Sequence, residues 1–214
     1  MPALLAYKGD ATLKKILLKE VLRHQKADQI VQGTYGHENG KWRGCAVGCA
    51  IHSLNIKLKK EWRTNDHTVY EKELGISERL ARLEDSIFEG LTQKEAVKFP
   101  ARFIAAIPVG ADLSRVIPLF CEWLLIDPTQ GVIRFAREED KKTIRDVAAL
   151  HAKEGAGGKV SEEEWSAARS AAWSAARSAA WSAARSAAWS AESAAWSAQA
   201  EKLLELLAAA PVKK

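Results

Sequence analysis

The chain is poor in cysteine, methionine and proline, with three, one and six of them in 214 residues. Cys45, Cys49 and Cys121 are too few, and odd in number, for a disulfide framework, which points to a reducing compartment. No apolar run reaches the roughly 18 residues that a membrane helix needs, so no membrane association is expected. The opening MPALLAYKGD lacks the apolar stretch of a signal peptide, and a cytoplasmic location is expected. Segments that alternate polar and apolar residues are also missing, which argues against strands. Equally absent are a phosphate-binding glycine loop, a Gly-x-Ser-x-Gly elbow, a His-Glu-x-x-His pair and cysteine knuckles. No cofactor is therefore expected, and the balance leans away from an enzyme.

What the chain does have is an apolar content of 47%, ordinary for a folded protein, and one very regular segment. WSAARSAA occurs three times unchanged, at 165–172, 173–180 and 181–188. The finer unit is X-Ser-Ala-Ala, with X alternating as Trp165, Arg169, Trp173, Arg177, Trp181, Arg185 and Trp189, and Trp196 following one irregular step later. Alanine is the best helix former, Ser161 and Glu164 spell a capping box, and neither glycine nor proline interrupts 161–210. These features predict one long repeat helix, about 70 Å if it runs for about 46 residues. Side chains four apart are neighbours, so each arginine lies between two indoles and can stack on either. Four residues turn a helix by about 400°, so the aromatic stripe winds around the axis and gives no single apolar face for a membrane surface. A period above 3.6 also fits a left-handed heptad coiled coil poorly. The expectation is packing against copies of itself or against the rest of the chain, with a plain helical spacer as the bland alternative.

Ahead of the repeat, the order of caps and apolar stripes predicts an all-α head of six or seven helices over 1–154 and a glycine-rich linker over 155–160. The repeat helix then occupies 161–210. Asp10 caps a first helix to about Val31, 44–54 is a short buried helix, and 65–73 is a weaker one. Ser77 opens a helix with Leu80, Leu83, Ile87 and Leu91 on one face, and Thr92 with Glu95 forms a second capping box. Asp112 is expected to cap an amphipathic segment that Pro118 kinks or restarts, and a final helix covers about 137–153.

Reactive side chains cluster only in Arg43-Gly-Cys-Ala-Val-Gly-Cys-Ala-Ile-His52. Cys45, Cys49 and His52 share one helix face and are candidate metal ligands, although three ligands from one helix is rare for zinc. Cys45 is also a candidate nucleophile, because a cysteine at a helix N-terminus has its thiolate stabilised by the helix end. His67 or His151 would be its base, and Gln32 stands upstream where papain-like enzymes keep an oxyanion donor. The plainer alternative is that both cysteines let two helices pack closely. Residues 1–63 carry twelve Lys/Arg against five Asp/Glu, so the basic first third is a candidate nucleic-acid surface or a solvated helix face. Within 161–207 the balance is four basic against six acidic residues, which disfavours nucleic acid on the repeat.

The segments GCAVGC (44–49), LGISERLARLEDSIFEGL (74–91) and AIPVGADLSRV (106–116) resemble an uncharacterised family of bacterial and phage-encoded proteins. In that family an all-helical head precedes a variable alanine-rich repeat tail. The resemblance covers roughly 1–135, and it implies a phage or mobile-element source but no activity. Taken together, the sequence predicts a non-enzymatic interaction module. Its partner is a second copy through the tail, or another protein. A Cys45-dependent enzyme and a nucleic-acid binder are the alternatives.

Overall fold

A computed structural model describes residues 4–38, 41–168 and 189–213, and these are mostly helical, as an all-α fold requires. Helices α1 (Ala11–Lys26), α2 (Ala46–Leu58), α3 (Glu78–Gly90), α4 (Gln93–Ala96) and α5 (Phe99–Ala106) come first. Then follow α6 (Val116–Ile126), α7 (Glu138–Gly155), α8 (162–168) and α9 (Trp189–Ala208). Between α1 and α2, β1 (His37–Glu38) and β2 (Trp42–Arg43) form a two-stranded antiparallel ribbon, too short to leave an alternating pattern in the sequence. The chain divides into two compact units, 1–113 with 203–214 and 114–202.

In the first unit, Asp10 caps α1 by accepting from the Thr12 amide at 2.7 Å. Leu17, Val21 and His24 form the buried stripe of that helix. Helix α2 is buried along Ala46–Ile51 and packs against α1, α3 and α5. Gly48 is needed there, because a Cβ at that position would lie 2.1 Å from the Tyr35 carbonyl oxygen. The weaker helix expected over 65–73 is a single π-turn, Tyr70–Leu74, closed by Gly75 in the left-handed region. Ser77 caps α3 by accepting from the Leu80 amide, and Leu80, Ile87 and Phe88 face inward. The end of α9 also belongs to this unit, with Leu203 and Leu207 fully buried. Just beyond it, Val212 bridges Ala111, and the Asp112 amide donates to the Pro211 carbonyl at 2.9 Å.

The second unit pairs α6 with α7 around Ala136 and Ile144, with Leu125 and Ile133 against them. Helix α6 starts at Val116, with Arg115 at its N-cap position, rather than directly after Asp112, which pairs with Lys213. Pro118 therefore lies in the first turn of α6, where its missing amide hydrogen costs nothing. Gly155, expected in the linker, is instead the last residue of α7 and is buried; a Cβ there would meet Leu119 at 2.6 Å. The predicted capping box opens α8: Ser161 accepts from the Glu164 amide at 3.1 Å, and Glu164 accepts from the Ser161 amide at 2.7 Å. The repeat residues Arg169, Trp173, Arg177, Trp181 and Arg185, and with them the continuity of the expected long helix, lie outside the described residues. None of the described helices is long and apolar enough to cross a membrane.

Candidate functional site

The densest group of reactive side chains forms in the first unit, where the N-terminus of α2 meets α3. The loop ahead of α2 is fastened by backbone bonds from Val31 to Gly44, from Gly44 to Gln29 and from Cys45 to Thr34, at 2.7–2.9 Å. These set Cys45 as the N-cap of α2, with its Sγ accepting from the Gly48 amide at 3.4 Å. That is the helix-end position the sequence suggests, yet the surroundings act the other way. Burial pushes the Cys45 thiol well above its ordinary value, and the Asp85 and Glu89 carboxylates add to this against the pull of the Gly48 amide. The helix end contributes one weak sulfur hydrogen bond; desolvation of a 1% exposed thiol outweighs it. Cys45 is a protonated thiol.

Asp85 is the hub of the group. Its Oδ2 accepts from the Tyr35 hydroxyl at 2.8 Å and from His67 Nε2 at 3.2 Å. Burial raises its carboxyl, but bonds from His67, Tyr35 and Cys45 outweigh this and hold it below the usual range. The same contact pushes the Tyr35 phenol up to about 12, with the hydrogen bond to Asp85 as the main cause. His67 is nearly fully buried, and its Nδ1 faces the Asn65 carbonyl at 3.1 Å. Both of its ring nitrogens thus lie against oxygen atoms. The order is thiol, carboxylate, imidazole, with Asp85 in the middle. A nucleophilic cysteine needs the imidazole in that place to take its proton.

Glu84, next to Asp85 on α3, enters a different environment beside Tyr70 and is 1% exposed. Burial pushes its carboxyl well above the usual range, against the pull of the Tyr70 phenol, which favours the neutral acid. The phenol interacts with it, but neither carboxyl oxygen has a hydrogen-bond partner of full geometry. Glu84 follows Leu80 by four residues and precedes Phe88 by four, and that spacing on an apolar stripe is the one sequence sign of its burial. Asp85 leaves no such sign.

The other candidates have different surroundings. Cys49 donates its thiol to the Gly44 carbonyl at 3.4 Å, and His52 stacks on Trp42 with ring centroids 4.1 Å apart. Cys45, Cys49 and His52 therefore do not converge as a donor set. Among the described residues, the group that does converge is Cys45 Sγ with one carboxylate oxygen each from Asp85 and Glu89, all within 4.8 Å of one another. Gln32 gives its amide to the Phe88 and Leu91 carbonyls at 2.8 and 2.9 Å, tying off the C-terminal end of α3. His151 belongs to the second unit, where its ring lies 4.7 Å from that of Trp165. Trp165 also donates its indole N–H to Glu154 at 3.2 Å. Trp196 is half-buried on α9, and Trp189 lies on the same helix.

Several basic residues of the first third are engaged at helix ends. Lys14 donates to the Ala105 and Ile107 carbonyls at 2.8 and 2.7 Å, Lys41 to Ala27 at 2.7 Å, and Arg43 to Asp28 at 3.1 Å. Such cations satisfy carbonyls that a helix leaves without partners. No family model, curated protein or solved structure matches the chain.

Proposed function

We propose that the chain is a non-enzymatic protein-interaction module of the cytoplasm, encoded by a phage or mobile element, whose repeat tract self-associates or braces the rest of the molecule. The observation that carries this is the docking of the first repeat. Trp165 lies on His151, hydrogen-bonds Glu154, and is joined by a Lys153–Glu164 ion pair at 2.8 Å. Beside it, Val147 and Leu150 of α7 line a groove with Ala167 and Ala168 of α8. A tryptophan of the repeat thus already seats on a helix face through an aromatic contact and one polar anchor, while alanines permit the close approach. Trp173, Trp181, Trp189 and Trp196 carry the same side chain in the same kind of sequence. The protonated Cys45 and the engaged lysines leave the enzyme and nucleic-acid alternatives with less support.

The test uses the full chain, because residues 203–213 pack into the first unit and a truncation would tear them out. Light scattering should show an oligomer that Trp173→Ala with Trp181→Ala reduces to a monomer, if the tract self-associates. A monomer whose tract is protected in hydrogen exchange supports bracing. A monomer with an unprotected tract rejects both.

A further inference from the structure

We propose that Cys45, Asp85 and Glu89 form a binding site for a thiophilic divalent cation of the zinc class, which ties the start of α2 to α3. Three features of the first unit carry this. The donor atoms of these residues already lie within 4.8 Å of one another. In a tetrahedral zinc site the donors are about 3.3–3.5 Å apart, given Zn–S near 2.3 Å and Zn–O near 2.0 Å, so closure asks for a shift of about 1 Å. Glu89 can supply it, being exposed and on a flexible side chain, and its exposure also gives the ion a way in.

The second feature is an orphan. Asp85 is 8% exposed, its Oδ2 is used by Tyr35 and His67, and its buried Oδ1 has no hydrogen-bond partner of full geometry, the Cys45 thiol being the other group that interacts with the carboxylate. A buried carboxylate oxygen with no partner is costly, and a cation beside it removes that cost. The third is the outer ring of contacts. Tyr35 and His67 orient the Asp85 carboxylate, the Gly33 amide orients Glu89 at 2.8 Å, and the Gly48 amide points at the Cys45 sulfur. Bonds of this kind hold ligands in place in known metal sites. Two carboxylates crowd together here beside the thiol, and a divalent ion offsets the repulsion between them. On binding, Cys45 passes its proton to solvent and the thiolate takes the metal; a soft sulfur donor selects zinc or cobalt over magnesium or calcium.

The experiment is a titration of the chelator-treated full chain with Co2+, read by the sulfur-to-cobalt charge-transfer absorption, followed by calorimetry with Zn2+. One ion per chain with a thiolate band is expected. Cys45→Ser should remove the band and weaken zinc by about a hundredfold or more; Glu89→Gln, on the surface and safe for folding, and Tyr35→Phe should each weaken it by about tenfold. Cys49→Ser and His52→Ala should change neither. The absence of stoichiometric binding would overturn the proposal. A cobalt complex without the thiolate band, or a band that survives Cys45→Ser, would do the same.

Discussion

Replacing Glu84 by glutamine removes the group whose ionisation the fold resists most directly. The ordinary carboxyl value is 4.5, and burial holds the folded-state value well above it. Above about pH 5 the unfolded chain therefore releases a proton that the folded chain keeps. The folded state binds more protons, so stability is fully present at acid pH and declines as pH rises towards the folded value. The slope is at most about 1.4 kcal/mol per pH unit for one proton, or about 2.7 kcal/mol between about pH 5 and about pH 7. A glutamine side chain would keep the volume and the contact with Tyr70 but cannot ionise. Urea denaturation of wild type and Glu84→Gln over that range isolates the effect, because other titrating groups cancel in the difference. The variant should gain on the wild type with each step in pH. Parallel curves would mean that Glu84 is ionised in the folded protein and would refute the argument from burial.

Gly48→Ala should cost about 3 kcal/mol or more, since its methyl meets the Tyr35 backbone and overpacking outweighs a helix-propensity gain of at most about 1 kcal/mol. Thermal denaturation checks it, and a raised midpoint would count against the close approach. Leu207→Ala should cost about 2–5 kcal/mol in urea unfolding, because this fully buried side chain belongs to the first unit; a cost near zero would place the end of α9 outside it. At about pH 7, iodoacetamide should modify Cys45 more slowly than the half-buried Cys121, as peptide mass spectrometry would show. Fast alkylation of Cys45 would revive the nucleophile.

Local signals were legible at most caps made by neighbours in sequence; at Thr92 the hydroxyl donates to the Glu95 carboxylate and makes no cap bond to a backbone amide. Asp10, Ser77 and the Ser161–Glu164 box all do what their spacing predicts. Asp112 carries the same signal, yet Arg115 is the N-cap of α6; Lys213 and Pro211 meet Asp112 from the far end of the chain, and no local pattern announces that. The candidate site divides in the same way. Cys45 stands at the helix end its glycine-rich surroundings suggest, but the sign of its perturbation depends on Asp85 and Glu89, some forty residues away in sequence on another helix. Asp85 itself looks like any polar residue on an amphipathic helix; only Tyr35 and His67, brought by two separate loops, make it a hub.

The repeats begin with Trp165 seated on α7 in the second unit, and near the end of α9 Leu207 is buried in the first. A tract anchored at both ends differs genetically from a dangling tail. Identical copies invite replication slippage, which adds or drops whole units, and a free tail would tolerate any number of them. Here residues on both sides of the tract are packed, so each gain or loss of a unit changes the number of residues between two packed segments. Copy number is then a variable to test: in chains that carry other numbers of WSAARSAA, compensating changes are expected near Trp165 and Leu207 rather than within the repeat.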